Sequence, residues 1–289
     1  MSSNPAPQLS GSAQSNNNNT NSRITQSFRD QKKIETFIRS TKLQKIIERA
    51  VEQYLSVFKQ SKLSEDAFAA IIVNVSIVYS DLLYPGGVDL LQLIVEEPLQ
   101  FAEAFKYCVF NLVRECVKSS PDVGLKTIDI AQVHDQLRFS GLPLQESMFF
   151  EPAQNRFPTS LSVVVGVLSA FTEPEKHILQ SVWYCSTGCS RNKIKLESIE
   201  APLCSNCSTE MCEYSKLRAT ANYRLLRLLP VSCVQTPRVL NKIFRAVTVR
   251  VREHVYDCEL LLGTRYLCTG YFNYHCNANE FQAWHLIKH

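Results

Sequence analysis

Four cysteines, arranged as two close pairs, constrain the fold of this chain more than any other feature of its sequence. The pairs are Cys185 with Cys189, which have three residues between them, and Cys204 with Cys207, which have two. Each pair can form a small knuckle whose thiolates converge, and the 14-residue spacer can form a hairpin that brings the pairs around a tetrahedral Zn²⁺. The sequence therefore predicts a zinc ribbon at about 183–212, in which Zn²⁺ is structural because four thiolates leave no open coordination position.

The other cysteines have a different interpretation. The chain contains 11 cysteines, and an odd number argues against a disulfide framework. Burial or chance is the alternative interpretation of the four ligands, but they lie in polar loop sequence, where buried thiols are not expected. Cys212 is near enough in sequence to replace a ligand of the second pair. The remaining cysteines lie within apolar patterns and are predicted to be core thiols: Cys108, Cys116, Cys233, Cys258, Cys268 and Cys276.

Length, composition and missing motifs exclude several classes of protein. The chain has 289 residues, 45% of them hydrophobic, which suffices for two modest domains. No apolar run approaches the roughly 20 residues of a membrane helix, and the polar start does not resemble a secretory signal. The phosphate-loop, nucleophile-elbow, His-Glu-x-x-His and dinucleotide-binding glycine motifs are also absent. We therefore expect an intracellular protein that does not contact a membrane and is not an enzyme.

The N-terminal half is predicted to consist of a tail and a helical subdomain. Residues 1–27 are rich in Ser, Asn, Gln and Pro and lack the apolar residues that would offset ordering entropy, so we predict a disordered tail. From residue 28 apolar residues recur at helical spacing, with one strand pattern around 71–77 and a helix that begins near Pro98. Residues 28–125 are therefore predicted to form a small, mostly helical subdomain.

Residues 126–289 have the patterns of a small β-barrel. Valines alternate with polar residues over 247–252, and Gly166 interrupts a valine-rich strand, as at the corner of a barrel. Further strands are predicted at 178–184 and 266–274, without the helices of a βαβ fold between them. The predicted fold class is α+β: a helical subdomain followed by an OB-type β-barrel with an inserted zinc ribbon.

Positive charge is concentrated in one segment of this second half. The formal net charge is only +4, yet residues 213–252 contain nine Lys or Arg residues and a single acid. Spacing by two on a strand places Arg250 and Arg252 on one face, opposite the valines. We predict a surface that follows DNA phosphates, with Tyr223 or Phe244 as stacking residues. The alternative is a basic face that meets an acidic protein partner. The first candidates for phosphate contact are Arg218, Arg224, Arg245, Arg250 and Arg252.

The order of the motifs is itself distinctive. The element RFSGLP at 138–143 is followed by VVVGVL at 163–168, then by a proline and by VWYC at 182–185, and later by the strand patterns 247–252 and 262–270. This order resembles the N-terminal half of the minichromosome maintenance (MCM) family, which has an Arg-x-x-x-Leu-Pro element and a V-x-G-[IV]-V … P … Y-x-C-x-x-C pattern at the barrel entry. The resemblance implies a helical subdomain, a zinc ribbon and an OB barrel in this arrangement.

The resemblance covers residues 28 to 275, and the sequence departs from the family within it. Leu-Gly-Thr at 262–264 stands where the family has Pro-Gly-Asp. The family's long DNA-binding β-hairpin is either reduced to the neighbourhood of Asn273 to Glu280 or lost. We also expect the AAA+ ATPase half of replicative MCM proteins to lie on another chain.

A chain of this kind is similar to the split, divergent MCM-like proteins of insect meiosis. That resemblance implies a non-catalytic subunit in the nucleus of germ cells, which binds DNA recombination intermediates. Its implied partners are an MCM-like chain with the ATPase-like half and a further MCM paralogue. The implied role is to promote meiotic crossovers, within DNA repair, against an anti-crossover helicase. One alternative is a structural adaptor between proteins without DNA contact. Another is a single-strand-binding OB protein or a transcription-type zinc ribbon that needs no ATPase-bearing partner.

Overall fold

The computed structural model describes most of the chain. The described residues are 29–61, 67–83, 87–120, 128–142, 150, 160–189, 192–235, 244–256, 259–273 and 280–289. The predicted tail 1–27, Cys258, Cys276 and positions 274–279 of the predicted hairpin region lie outside them. Among the described residues, no helix is both long and apolar enough to cross a membrane.

Four helices build most of the N-terminal unit. They are α1 (29–40), α2 (Leu43–Ser61), α3 (Gly87–Glu96) and α4 (Pro98–Lys118). α4 begins at a proline because the first helical position does not need a backbone donor. Its apolar side chains recur at helical spacing from Phe101 to Val117 and are buried. α2 buries its own apolar face, which includes Leu43 and Ile47, in the same core. The predicted helical subdomain is therefore present.

A two-stranded parallel sheet completes this unit. β1 (Ile71–Val78) pairs with β2 (Val133–Ser140) over its whole length, and alternate residues of β1 are buried. The sequence placed β2 with the barrel, in 126–289, but its apolar side chains belong to the helical core. Phe139 packs against Phe101 of α4, with ring centroids 5.9 Å apart. The reason is that a strand pair needs a distant partner, which sequence order alone does not identify.

The second unit is a closed five-stranded barrel. Its strands are β3 (Ser162–Phe171), β7 (Ala219–Leu229), β8 (Val247–Arg252), β9 (Arg265–Asn273) and β10 (Glu280–Lys288). They pair in the order β3-β9-β10-β8-β7, and β7 pairs back with β3 to close the barrel. Only the β8–β10 pair of the barrel is parallel. Val247, Val249 and Val251 point into its core, as the alternation predicted. The OB-type barrel is thus confirmed.

Two glycines allow the barrel strands to approach closely. A Cβ at Gly166 would lie 2.9 Å from Leu228 Cβ and from the Leu229 carbonyl oxygen. A Cβ at Gly270 would lie 2.0 Å from the carbonyl oxygen of Gln282. The prediction of a barrel corner at Gly166 agrees with a register shift in the β3–β7 pair just beyond it.

The ribbon attaches to the barrel through β4, and the helical unit contacts the barrel through β10. β4 (Glu175–Tyr184) pairs with β7 and also with β5 (Lys193–Leu196) and β6 (Cys212–Glu213). A one-turn helix, α5 (Ser232–Gln235), follows β7. Trp284 of β10 packs on Phe139 of the helical unit, with centroids 5.0 Å apart. These contacts position the metal cluster at the end of β4, away from the barrel core.

Candidate functional site

The predicted metal centre is assembled from the end of β4 and the two loops that follow. The Sγ atoms of Cys185, Cys189, Cys204 and Cys207 lie within 4.8 Å of one another. The Cys185 sulfur is 3.6 Å from those of Cys189 and Cys207, and the Cys189 sulfur is 3.4 Å from that of Cys204. Zn–S bonds of about 2.3 Å in a tetrahedron would separate the sulfurs by roughly 3.8 Å. The donor set and its spacing therefore fit Zn²⁺.

The loops around the sulfurs supply hydrogen-bonding groups. The Thr187 hydroxyl lies 3.0 Å from the Cys185 sulfur, and the Thr209 hydroxyl lies 2.8 Å from that of Cys207. Hydrogen bonds, chiefly that of the Thr187 hydroxyl, lower the pKa of the Cys185 thiol to about 5, and a similar set, chiefly that of the Thr209 hydroxyl, lowers the pKa of the Cys207 thiol to about 7. Because metal ligands must be thiolates, these hydroxyls favour the binding form of two ligands. The sequence analysis did not single out either threonine.

The other described thiols are outside this cluster. Cys212 is exposed on β6, opposite Tyr184, and its sulfur is not among the four that converge. Cys108 and Cys268 are buried, as predicted for core thiols, and burial raises the pKa of each. Cys116 and Cys233 are half-buried.

The structure does not unite the five candidate arginines on one surface. In the β7–β8 pair Arg224 is directly opposite Val251, which is buried, and so shares its side of the sheet. Arg250 is opposite Leu225 and points outward. Arg224 lies over the ring of Phe171, 5.7 Å from its centroid. Arg224 and Arg250 therefore lie on opposite faces of the sheet. The register of β7 with β8 determines this difference.

The remaining candidates have separate surroundings. Arg218 donates from Nε to a Glu213 carboxylate oxygen at 2.8 Å. Its guanidinium is therefore paired with an acid at the end of β6. Arg252 lines a cleft between the barrel and the helical unit, together with Lys106 and Asp135. Burial raises the pKa of the Asp135 carboxyl, and the two cations oppose that rise. The fifth candidate precedes β8 and donates its backbone N–H to the Phe150 carbonyl.

That fifth candidate is Arg245. Arg245 also has a further interaction within the structure. Phe244, one of the two predicted stacking residues, is half-buried beside it. Neither is part of the strand face that carries Arg250.

One of the two predicted stacking residues, Tyr223, does lie beside a candidate arginine on the outer barrel face. The guanidinium of Arg250 lies over the ring of Tyr223, 4.8 Å from its centroid, and donates to Glu280 at 3.0 Å. The Tyr223 hydroxyl donates to Glu175 of β4, and its ring meets His177 edge-on at 6.3 Å. We call Tyr223, His177 and Arg250 the barrel-face cluster. Sequence reasoning named Tyr223 and Arg250 but missed His177, because the β4–β7 register brings it there.

Arg227 extends the barrel-face cluster along β7. It is exposed and lies opposite Thr248, on the same side of the sheet as Arg250. The sequence counted Arg227 in the basic segment without selecting it. In the structure it is an exposed cation on that face.

Comparisons with known proteins identify the architecture. No protein-family model matches the chain, and no curated protein matches it in sequence. Among solved structures, the chain is similar to the 1.8 Å crystal structure of the N-terminal domain of an archaeal MCM. The TM-score is 0.58 at 13% sequence identity, and the match covers 91% of this chain and 99% of that chain. This chain therefore has the fold of an MCM N-terminal domain, with helices, an OB-type barrel and a four-cysteine cluster that fits zinc.

Proposed function

We propose that the chain is a non-catalytic, zinc-containing MCM-like module that binds DNA and assembles with MCM-like partners. The observation that carries the proposal is the likeness in fold to an MCM N-terminal domain over 91% of the chain. The structural Zn²⁺ would be held by Cys185, Cys189, Cys204 and Cys207. It would hold the two loops of the ribbon together and take no part in a reaction, since the four sulfurs complete its coordination.

The barrel-face cluster is the place where we expect DNA to bind. Tyr223 offers a half-buried aromatic ring beside Arg250, and Arg227 adds an exposed cation on the same face. Proteins that bind single strands combine cations that follow the backbone with rings on which bases stack, worth about 1–3 kcal/mol per base. Arg250 is partly neutralised by Glu280, at 3.0 Å, so Arg227 is the better candidate for phosphate contact.

The biological setting in this proposal rests on the sequence resemblance. We propose that the module acts in the nucleus of germ cells with an MCM-like chain carrying the ATPase-like half and with a further MCM paralogue. There it would bind recombination intermediates, promote meiotic crossovers and oppose an anti-crossover helicase. Co-purification from germline tissue tests this setting: an MCM-like ATPase chain should be recovered with this one, and its absence would contradict the proposed assembly.

DNA binding is tested with the purified full chain and a fluorescent oligothymidylate. Binding should weaken steeply as salt rises, because neutralised phosphates release counterions. Tyr223→Ala should weaken it by about 5- to 150-fold, the value of one stacked base, whereas Tyr223→Phe keeps the ring and should bind nearly as the parent. The matched control is Tyr107→Ala, which removes a 44% exposed tyrosine from α4.

Two results would contradict DNA binding at this face. One is binding that is undetectable or insensitive to salt. The other is an equal loss of affinity for Tyr107→Ala and Tyr223→Ala, which would show that the barrel-face cluster has no special part in it.

A second candidate function, a protein-binding adaptor, is favoured by a different observation. Leu196, Ile199 and Leu203 of the ribbon are 43%, 65% and 63% exposed. Two of the candidate arginines, Arg218 and Arg250, are already paired with acids. If the chain is an adaptor, Ile199→Ser with Leu203→Ser should release its partners while leaving DNA affinity unchanged. Retention of the partners by this double variant would count against the adaptor.

A further inference from the structure

A crevice of about 550 Å³ lies between the helical unit and the barrel. One wall is the outward face of the β1–β2 sheet. Asn74 lies directly opposite Gln136 in that sheet, and Ser76 lies opposite Arg138. Val75, which lies between Asn74 and Ser76 on β1, is buried in the helical core. Because the sheet holds these four polar side chains in two adjacent cross-strand pairs, this wall is a rigid polar surface.

The opposite wall comes from the barrel. Lys176 of β4 lies opposite Asn222 of β7 in the strand register, and Thr220 is two residues before it. Lys176 and Thr220 are exposed, and the turn after β8 adds Glu253 and His254. Val75 and Ala221 are the apolar residues among the described residues that line the crevice. The crevice is therefore lined by amides, hydroxyls and charged groups, which suits a ligand with many hydrogen-bonding atoms rather than an apolar one.

The charges of the crevice favour an anion. Among the described residues that line the crevice, the cations are Arg138 and Lys176 and the carboxylate is Glu253, which accepts from the Asn222 amide at 2.8 Å. Burial, followed by the charge of Arg252 and then of Arg138, lowers the pKa of His254 to about 4, so this imidazole is neutral at pH 7. The charges of Arg252 and Arg138 thus reach this imidazole, and each disfavours its protonation.

We propose that this crevice binds a nucleotide, with its phosphate near Arg138 and Lys176 and its base or sugar held by the amides and hydroxyls of both walls. Its volume lies within the about 300–1,000 Å³ of small-molecule sites, which often form between two packed units. Asn and Gln side chains can pair a donor and an acceptor with a base edge, and Asn74, Gln136 and Asn222 supply three of them. An acidic peptide would need the cations but not these three amides.

The nucleotide could be free or part of a single strand, and this inference does not require DNA binding at the barrel-face cluster. The experiment uses the full chain, with thymidine monophosphate in one titration and an oligothymidylate of about 10 nucleotides in another. Heat of binding is measured by calorimetry, together with the His254 ring resonances. We expect binding in at least one titration and a higher pKa of His254 on binding, because a nearby anion favours the imidazolium.

Two variants place a carboxylate in the crevice from exposed positions, one on each wall: Ser76→Glu and Thr220→Glu. Each should weaken nucleotide binding about tenfold or more, because a like charge would face the phosphate. The matched control, Ser56→Glu, adds the same charge at an exposed position of α2, outside the crevice, and should leave binding of the monophosphate unchanged. Circular dichroism checks that the variants remain folded.

The outcomes separate this inference from the proposed function. Monophosphate binding lost only in the crevice variants supports a site for a free nucleotide. Oligothymidylate binding without monophosphate binding, weakened by Ser76→Glu and Thr220→Glu, supports a strand in the crevice. No binding in either titration overturns the inference, as does binding that both crevice variants leave intact. Oligothymidylate binding that Tyr223→Ala leaves unchanged instead counts against DNA contact at the barrel-face cluster.

Discussion

The zinc ribbon and the β-barrel adjoin each other along β4, but different interactions maintain them. The buried core of the ribbon consists of Trp183, Met211 and two of the cysteines, whereas the barrel core contains 16 buried residues. Apolar burial contributes roughly 25 cal/mol per Å², and ordering a residue costs about 1–2 kcal/mol. So small an apolar core cannot order the ribbon by itself. We infer that the ribbon depends on its metal and that the barrel does not.

Removal of the metal should have the largest effect and should separate the two regions. Cys204→Ser, or a chelator added to the parent, should abolish zinc binding and unfold the ribbon, because the free energy of binding structural zinc is about 10–16 kcal/mol in small zinc domains. The two tryptophans report the result separately, since Trp183 lies in the ribbon core and Trp284 packs on the helical unit. The fluorescence of Trp183 should change, and that of Trp284 should not.

The matched control for this experiment is Cys212→Ser. This cysteine is exposed and its sulfur is not in the metal cluster, so the variant should keep one zinc per chain. Loss of zinc in Cys212→Ser, or a stable ribbon without metal, would overturn the comparison between ribbon and barrel.

Gly270→Ala tests the barrel side of the comparison. The added Cβ would lie 2.0 Å from the Gln282 carbonyl oxygen on the neighbouring strand, where the backbone cannot move without breaking the pairing of β9 with β10. We expect a loss of about 3 kcal/mol or more in the free energy of unfolding, measured with urea, and unchanged zinc content. Gly263→Ala is the control: that site has space but a φ of +75°, so about 1 kcal/mol should be lost. Equal losses would refute the packing argument.

Thr209→Val should have the smallest effect and should refine the account of the ribbon. It removes the hydroxyl that lies 2.8 Å from the Cys207 sulfur but keeps the shape of the side chain. Groups that hydrogen-bond to metal ligands contribute a factor of about 10 to 100 to metal affinity. The variant should therefore bind zinc about 10- to 100-fold more weakly than the parent. Competition with a chromophoric chelator measures the difference. Thr172→Val, which removes a hydroxyl from the barrel, should leave zinc affinity unchanged.

Local patterns predicted the elements whose residues are close in sequence. The ribbon ligands could be named because their spacing decides which thiolates can converge, and β8 because alternating valines identify the buried face of a strand. The helix that begins at Pro98 was likewise visible in its apolar spacing. In each case the atoms that interact are separated by few residues or share one element.

Long-range pairing accounts for what sequence analysis missed. β2 joined the helical unit because β1, some 60 residues earlier, offers the parallel edge that it pairs with. The candidate arginines were selected by charge density along the chain, but the register of β7 with β8 puts Arg224 and Arg250 on opposite faces. The crevice that holds Arg138 forms only where the two units pack.

The sequence by itself determined which local elements the chain forms: four cysteines that converge, an amphipathic helical unit and valine-lined strands. Those properties follow from spacing and periodicity, which are local. Only the tertiary structure decided which charges share a surface, that His177 lies against Tyr223, and that amides from two units face one another across a crevice. The physical reason is that strand register and the packing of one unit on another bring together residues that are far apart in sequence, and a shift of one residue would reverse the faces.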